Sequence, residues 1–191
     1  MVDRRFVLGR ASRGLGAAAL ARLGGGSLGG IAAAFPLAVS TATPATAVSG
    51  RVDPALDIQI LQTASSLENL AVATYGVALT LPFIANGNPV VKKFAETTMM
   101  QHGEHNKAFQ AQAKALGGKE QTQPNAKYLQ VVNDAKPNLK GPGDVVKLAM
   151  ALEQVATQTY VNNMTLFTDT QSKSVMASVM GVEAQHLATL R

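Results

Sequence analysis

Two stretches of this chain repeat each other. Leu67-Glu68-Asn69-Leu70-Ala71-Val72-Ala73-Thr74-Tyr75 and Leu152-Glu153-Gln154-Val155-Ala156-Thr157-Gln158-Thr159-Tyr160 carry Leu, Glu, Ala, Thr and Tyr at matching places. Downstream of each comes a second matched pair: Met99-x-x-His102-x-x-His105 lies over Met180-x-x-Glu183-x-x-His186. One match between alanine-rich helices arises readily by chance, but two in the same order do not. The repeat confines the fold to two copies of one helical hairpin.

Helix punctuation agrees. Asp53-Pro54 supplies an N-cap and a proline at the first helical position, opening a helix that runs to about Leu81. Pro82 and Asn86-Gly87-Asn88 break it. Asn88-Pro89 opens a second helix, which Gly117-Gly118 ends. A polar stretch follows to Gly141-Pro142-Gly143, with room for a short helix over Ala126–Ala135. The third long helix is expected from near Asp144 to Phe167, and the fourth from about Gln171 onward. Short loops within each pair make the pairs antiparallel, and the long middle connection is the single crossover of a ferritin-like four-helix bundle. The predicted class is therefore all-α.

The chemistry lies in scarce residues. Glu68 is the only acid between Asp57 and Glu96, and Glu153 the only one between Asp144 and Asp169. A lone carboxylate in mid-helix among apolar neighbours is costly unless it is protonated, paired or metal-bound. All three histidines fall in the paired motifs. Positions three apart share a helix face, so Glu183 with His186, and His102 with His105, can point together into a core. One Glu from each of two helices, with a Glu-x-x-His motif from each of the others, is the di-metal carboxylate pattern. The candidate ligands are Glu68, His102, His105, Glu153, Glu183 and His186. Oxygen and imidazole donors suit iron or manganese and also admit zinc. Without metal, the same groups are histidines and carboxylates hydrogen-bonded to one another.

Leu67-Glu68 with Tyr75, Leu152-Glu153 with Tyr160, and Glu183-x-x-His186 resemble bacterial ferritin-like domain proteins, a kind that includes desiccation-related proteins. The resemblance covers most of residues 57–191. It implies the bundle fold and metal binding at Glu68, His105, Glu153, Glu183 and His186, with Fe(II) oxidation or peroxide removal as reactions to test. One position departs, because the family pattern has glutamate where this chain has His102. A carboxylate can bridge two cations, whereas neutral imidazole ordinarily ligates one. Three carboxylates against two divalent ions leave a formal charge of +1, so an asymmetric or single-metal site competes with a matched pair. Glu104 does not substitute, since two residues on it points about 200° round the helix. A non-catalytic envelope scaffold or stress-protection protein with a degenerate site is the alternative function.

Tyr75 and Tyr160 lie two turns beyond their glutamates and read as core residues or hydrogen-bond donors to the site. Met99, Met100, Met164, Met176 and Met180 read as core filler.

The N-terminal region is read as an address. Asp3-Arg4-Arg5-Phe6-Val7-Leu8-Gly9 resembles a twin-arginine export signal, which implies the twin-arginine translocase as a partner. The Gly/Ala-rich segment from Gly14 to Val39 is interrupted by Arg22 and makes a poor membrane span. Ala45-Thr46-Ala47 offers the small residues of a cleavage site. The expected division is a signal over 1–47 and the domain over 48–191, periplasmic or extracellular. Five of the 17 Lys/Arg precede Ala47, so the high pI of about 9.6 belongs largely to the address. The remainder is near neutral and carries no nucleic-acid footprint. With no cysteine, thiolate metal sites, iron–sulfur clusters and disulfides are excluded. Metal ions are the expected ligands. Homo-oligomerisation is left open, although export argues against a cage-forming storage ferritin.

Overall fold

Proline sets where three of the four long helices begin. In the computed structural model, which describes residues 53–191, α1 spans Pro54–Thr80, α2 Pro82–Ala85, α3 Pro89–Ala115, α4 Ala126–Ala135, α5 Pro142–Met164 and α6 Thr170–Thr189. A 3₁₀ turn, Lys136–Asn138, follows α4. Helices α1, α2, α3 and α5 each start on proline, whose missing N–H costs nothing where the helix has no partner for it. Caps complete the ends. Asp53 accepts from the N–H groups of Ala55 and Leu56, Asn88 from Val90, and Asp169 from Ser172. Helix α3 stops where Gly117 takes φ +89°. Gly118 N–H then donates to Ala113 O and Gly117 N–H to Lys114 O, the paired bonds of a Schellman close.

These bounds differ modestly from the sequence expectation. Pro82 both ends the first helix and starts a one-turn helix of its own, and α5 begins at Pro142 and ends at Met164, earlier than expected at both ends. The short helix at Ala126–Ala135 stands where it was expected. The expected export signal, its expected cleavage site and the 47/48 boundary lie outside the described residues.

Helix α1 packs chiefly on α3, and α5 on α6; the two hairpins meet α1 to α5 and α3 to α6. The buried positions show the repeat in register. On α3 they are Ala95, Thr98, His102 and His105; on α6, Met176, Val179, Glu183 and His186. On α1 and α5, Ala64, Glu68, Leu70 and Tyr75 correspond to Ala149, Glu153, Val155 and Tyr160, all buried. Met176 is fully buried as core filler, but Met100, expected to be the same, is exposed.

The crossover is tied down on α1. Asn125 N–H donates to Ser66 O at 2.8 Å, Gln62 Nε2 to Lys119 O and Asn69 Nδ2 to Gln121 O, both at 2.8 Å. At the start of α1, Asp57 accepts from Thr168 N, Thr168 Oγ1 and Asp169 N at 2.9, 3.0 and 2.7 Å, joining that helix to the α5–α6 turn.

Candidate metal centre

Each long helix brings its scarce residues to the middle of the bundle. Glu68, His102, His105, Glu153, Glu183 and His186 are all buried, none more than 8% exposed. All six candidates from the sequence come together here.

The donor atoms fall into two sets. In the first, His102 Nδ1 lies 2.6 Å from Glu68 Oε2 and 3.5 Å from Glu183 Oε1, while His105 Nδ1 lies 3.6 and 2.8 Å from the same two oxygens. In the second, His102 Nε2 lies 3.2 Å from Glu153 Oε1, and His186 Nδ1 lies 3.5 Å from Glu153 Oε2 and 3.6 Å from Glu183 Oε2. Each set of four residues offers ligand atoms all within 4.8 Å of one another. A tetrahedral ion with bonds of about 2.0–2.1 Å sets its ligand atoms about 3.3 Å apart. The measured separations bracket that value.

Hydrogen bonding leaves a remainder. His105 Nδ1, Glu153 Oε2, both oxygens of Glu183 and His186 Nδ1 are buried with no hydrogen-bond partner among the described residues. The 2.8 Å approach of His105 Nδ1 to Glu183 Oε1 is close enough for a bond but is not aligned as one. Unpartnered buried polar atoms are costly. Five that converge on one region have the form of a cation's ligand shell, and this donor set fits a divalent ion.

The tyrosines cross over. Tyr75 of α1 donates to Glu153 Oε1 of α5 at 2.7 Å, and Tyr160 of α5 donates to Glu68 Oε1 of α1 at 2.5 Å. Burial, reinforced by the neighbouring carboxylates, pushes both phenols well above the ordinary tyrosine range, so they remain donors. Tyr75 also stacks on His102, with ring centroids 5.6 Å apart. His186 Nε2 is paired with Gln101 Oε1 at 2.8 Å, which leaves Nδ1 turned to the site. Neither Gln101 nor the crossed pairing was visible in the sequence, because an i,i+7 spacing says nothing about which half a side chain serves.

The charges hold one another. Burial favours neutral His102, but hydrogen bonds to Glu153 and Glu68, with Glu183 nearby, outweigh it and raise its pKa well above the usual value. Burial likewise opposes charge on His105, yet Glu183 and Glu68 lift it to about 9. Burial would raise Glu68 and Glu153; their histidine neighbours outweigh it and hold both low. Glu183 is raised, chiefly by burial.

Two sides of the site differ. Between α1, α5 and the crossover runs a narrow apolar cleft of about 50 Å³, reaching Glu68, Glu153 and the two tyrosines past Leu67, Val132 and Leu152. Between α3 and α6 lies an open groove bounded by Lys93, Thr97, Gln101, Gln185 and His186.

The family profile described as "Ferritin-like domain" matches residues 56–191, more than two thirds of the chain. The chain belongs to the ferritin-like family. Among curated proteins, no match is found. The ferritin-like assignment agrees with the all-helical bundle and its buried Glu/His cluster, an arrangement compatible with a metal site.

Proposed function

We propose that residues 48–191 form an exported ferritin-like metalloprotein that binds iron or manganese in the bundle core. The observation that carries this reading is the convergence of five unpartnered buried donor atoms from three helices. Glu68, His105, Glu153, Glu183 and His186 would be ligands, with His102 between the two sets. A bound redox-active metal would supply electron exchange with peroxide or dioxygen, so Fe(II) oxidation and peroxide removal are the reactions to test. Tyr75 and Tyr160 hold Glu153 and Glu68 in place while keeping their own protons. The apolar cleft limits water on one side, and the α3–α6 groove gives polar reagents a path toward His186.

Export by the twin-arginine translocase to the periplasm or outside the cell is part of the proposal. It rests on Arg4-Arg5 and on the small residues at 45–47.

A second reading is a metal-free scaffold. It is favoured by one observation: both ring nitrogens of His102 lie within hydrogen-bond reach of a carboxylate, so His102 can itself serve as the buried cation.

Elemental analysis of protein recovered from a host with a twin-arginine system separates the two. Bound iron or manganese that is lost in a Glu153→Ala, Glu183→Ala double variant is the expected result. No metal above the variant's background, even after anaerobic loading with Fe(II) and Mn(II), would sink the metalloprotein reading.

A further inference from the structure

The repeat pairs His102 with Glu183: both sit three residues before a histidine, His105 and His186, on α3 and α6. The two residues also behave alike in space. Glu183 turns Oε1 toward His105 and Oε2 toward His186. His102 turns Nδ1 toward Glu68 and Nε2 toward Glu153. Each therefore presents one donor atom to each ligand set.

We infer that His102 bridges two cations through its two ring nitrogens, opposite the carboxylate bridge of Glu183. This deepens the metal-binding reading above and rests on it. The first cation would take Glu68, His105, Glu183 Oε1 and His102 Nδ1. The second would take Glu153, His186, Glu183 Oε2 and His102 Nε2. Bridging needs both nitrogens free of protons, so the doubly protonated ring releases one proton to solvent as each cation binds, leaving an imidazolate. The charge then closes. Three carboxylates and one imidazolate balance two divalent ions, which removes the formal +1 that a neutral histidine would leave. A buried site at low dielectric favours neutrality strongly. Tyr75 stacks on the ring with centroids 5.6 Å apart, while the two nitrogens face Glu68 and Glu153.

An imidazolate bridge holds its ions about 6 Å apart, from two bonds of about 2.0–2.1 Å and the width of the ring. A close carboxylate- or oxygen-bridged pair stands about 3.5–4 Å apart.

The test loads metal-free protein with Co(II) under anaerobic conditions. It measures cobalt per chain and locates the ions in a crystal by their anomalous scattering. Two equivalents about 6 Å apart, one at each nitrogen of His102, are expected. In His102→Glu the pair should close toward 4 Å, and in His102→Ala the second equivalent should weaken at least tenfold. Two ions about 4 Å apart in the unaltered protein would overturn the bridge. So would a single equivalent with His102 donating to the opposite carboxylate, though the metal-binding reading would survive both results. No cobalt bound at all would overturn that reading as well.

Discussion

At His105 the protein holds a cation in a place that burial alone would keep neutral. Its folded pKa of about 9 stands above the ordinary 6.5, so its contribution to stability is full below about 6.5 and is lost as pH rises through about 9. Glu68 and Glu153 are held below 4.5, so their contribution is full above about 4.5 and is lost as pH falls through their lower folded values. Glu183, raised by burial, works the other way and weakens the fold once it ionises. The metal-free protein should therefore be most stable between about pH 4.5 and 6.5, with a melting temperature that declines toward pH 9. Thermal melts in chelator at about pH 5.5, 7.5 and 9 check this, and a flat profile would contradict the pairing. The gathering of the six candidates was legible in the sequence because acids and histidines are scarce there and helical spacing places them on one face. The two-sided role of His102 was not. Residue type says that imidazole replaces carboxylate, but only the ring's placement shows that each nitrogen faces a different set.

Among the elements, the α5–α6 turn depends on a residue far away in sequence. Asp57, completely buried, gathers three donors from Thr168 and Asp169 and so fastens the start of α1 to that turn. Asp57→Ala leaves those donors without a partner and should cost on the order of 3 kcal/mol, measured as a lowered urea midpoint with little change in slope. A loss under about 0.5 kcal/mol would mean that water replaces the carboxylate freely. Nothing in the residues around Asp57, an acid in the first turn of α1, announces a partner more than a hundred residues away. The helices themselves were readable from punctuation. Proline at the first position and Schellman glycines act within a few residues, so their signals do not wait on tertiary contacts. The ends of α5 were harder, since Gly141 caps it without a side-chain bond and Pro142 enters the helix directly.

For the whole molecule, the centre ties all four long helices together, so a metal bound there would be linked to folding. A ligand that binds only the folded state at 100 times its Kd adds about 2.7 kcal/mol. For a domain of this size that corresponds to a rise of roughly 5–10 °C in Tm. Manganese(II) should produce such a rise in the unaltered protein and none in the Glu153→Ala, Glu183→Ala variant, as read by calorimetry. The crossed tyrosines have a consequence for how such a bundle can vary. Each hairpin's glutamate is held by the other hairpin's tyrosine, so neither hairpin could complete its half of the centre alone. Two identical hairpins associating as a dimer would have to carry the same residue at every equivalent place, because two-fold symmetry permits nothing else. Joining them through the crossover lifts that requirement. One half can keep a carboxylate while the other acquires an imidazole, and the two sides of a single centre become free to specialise separately.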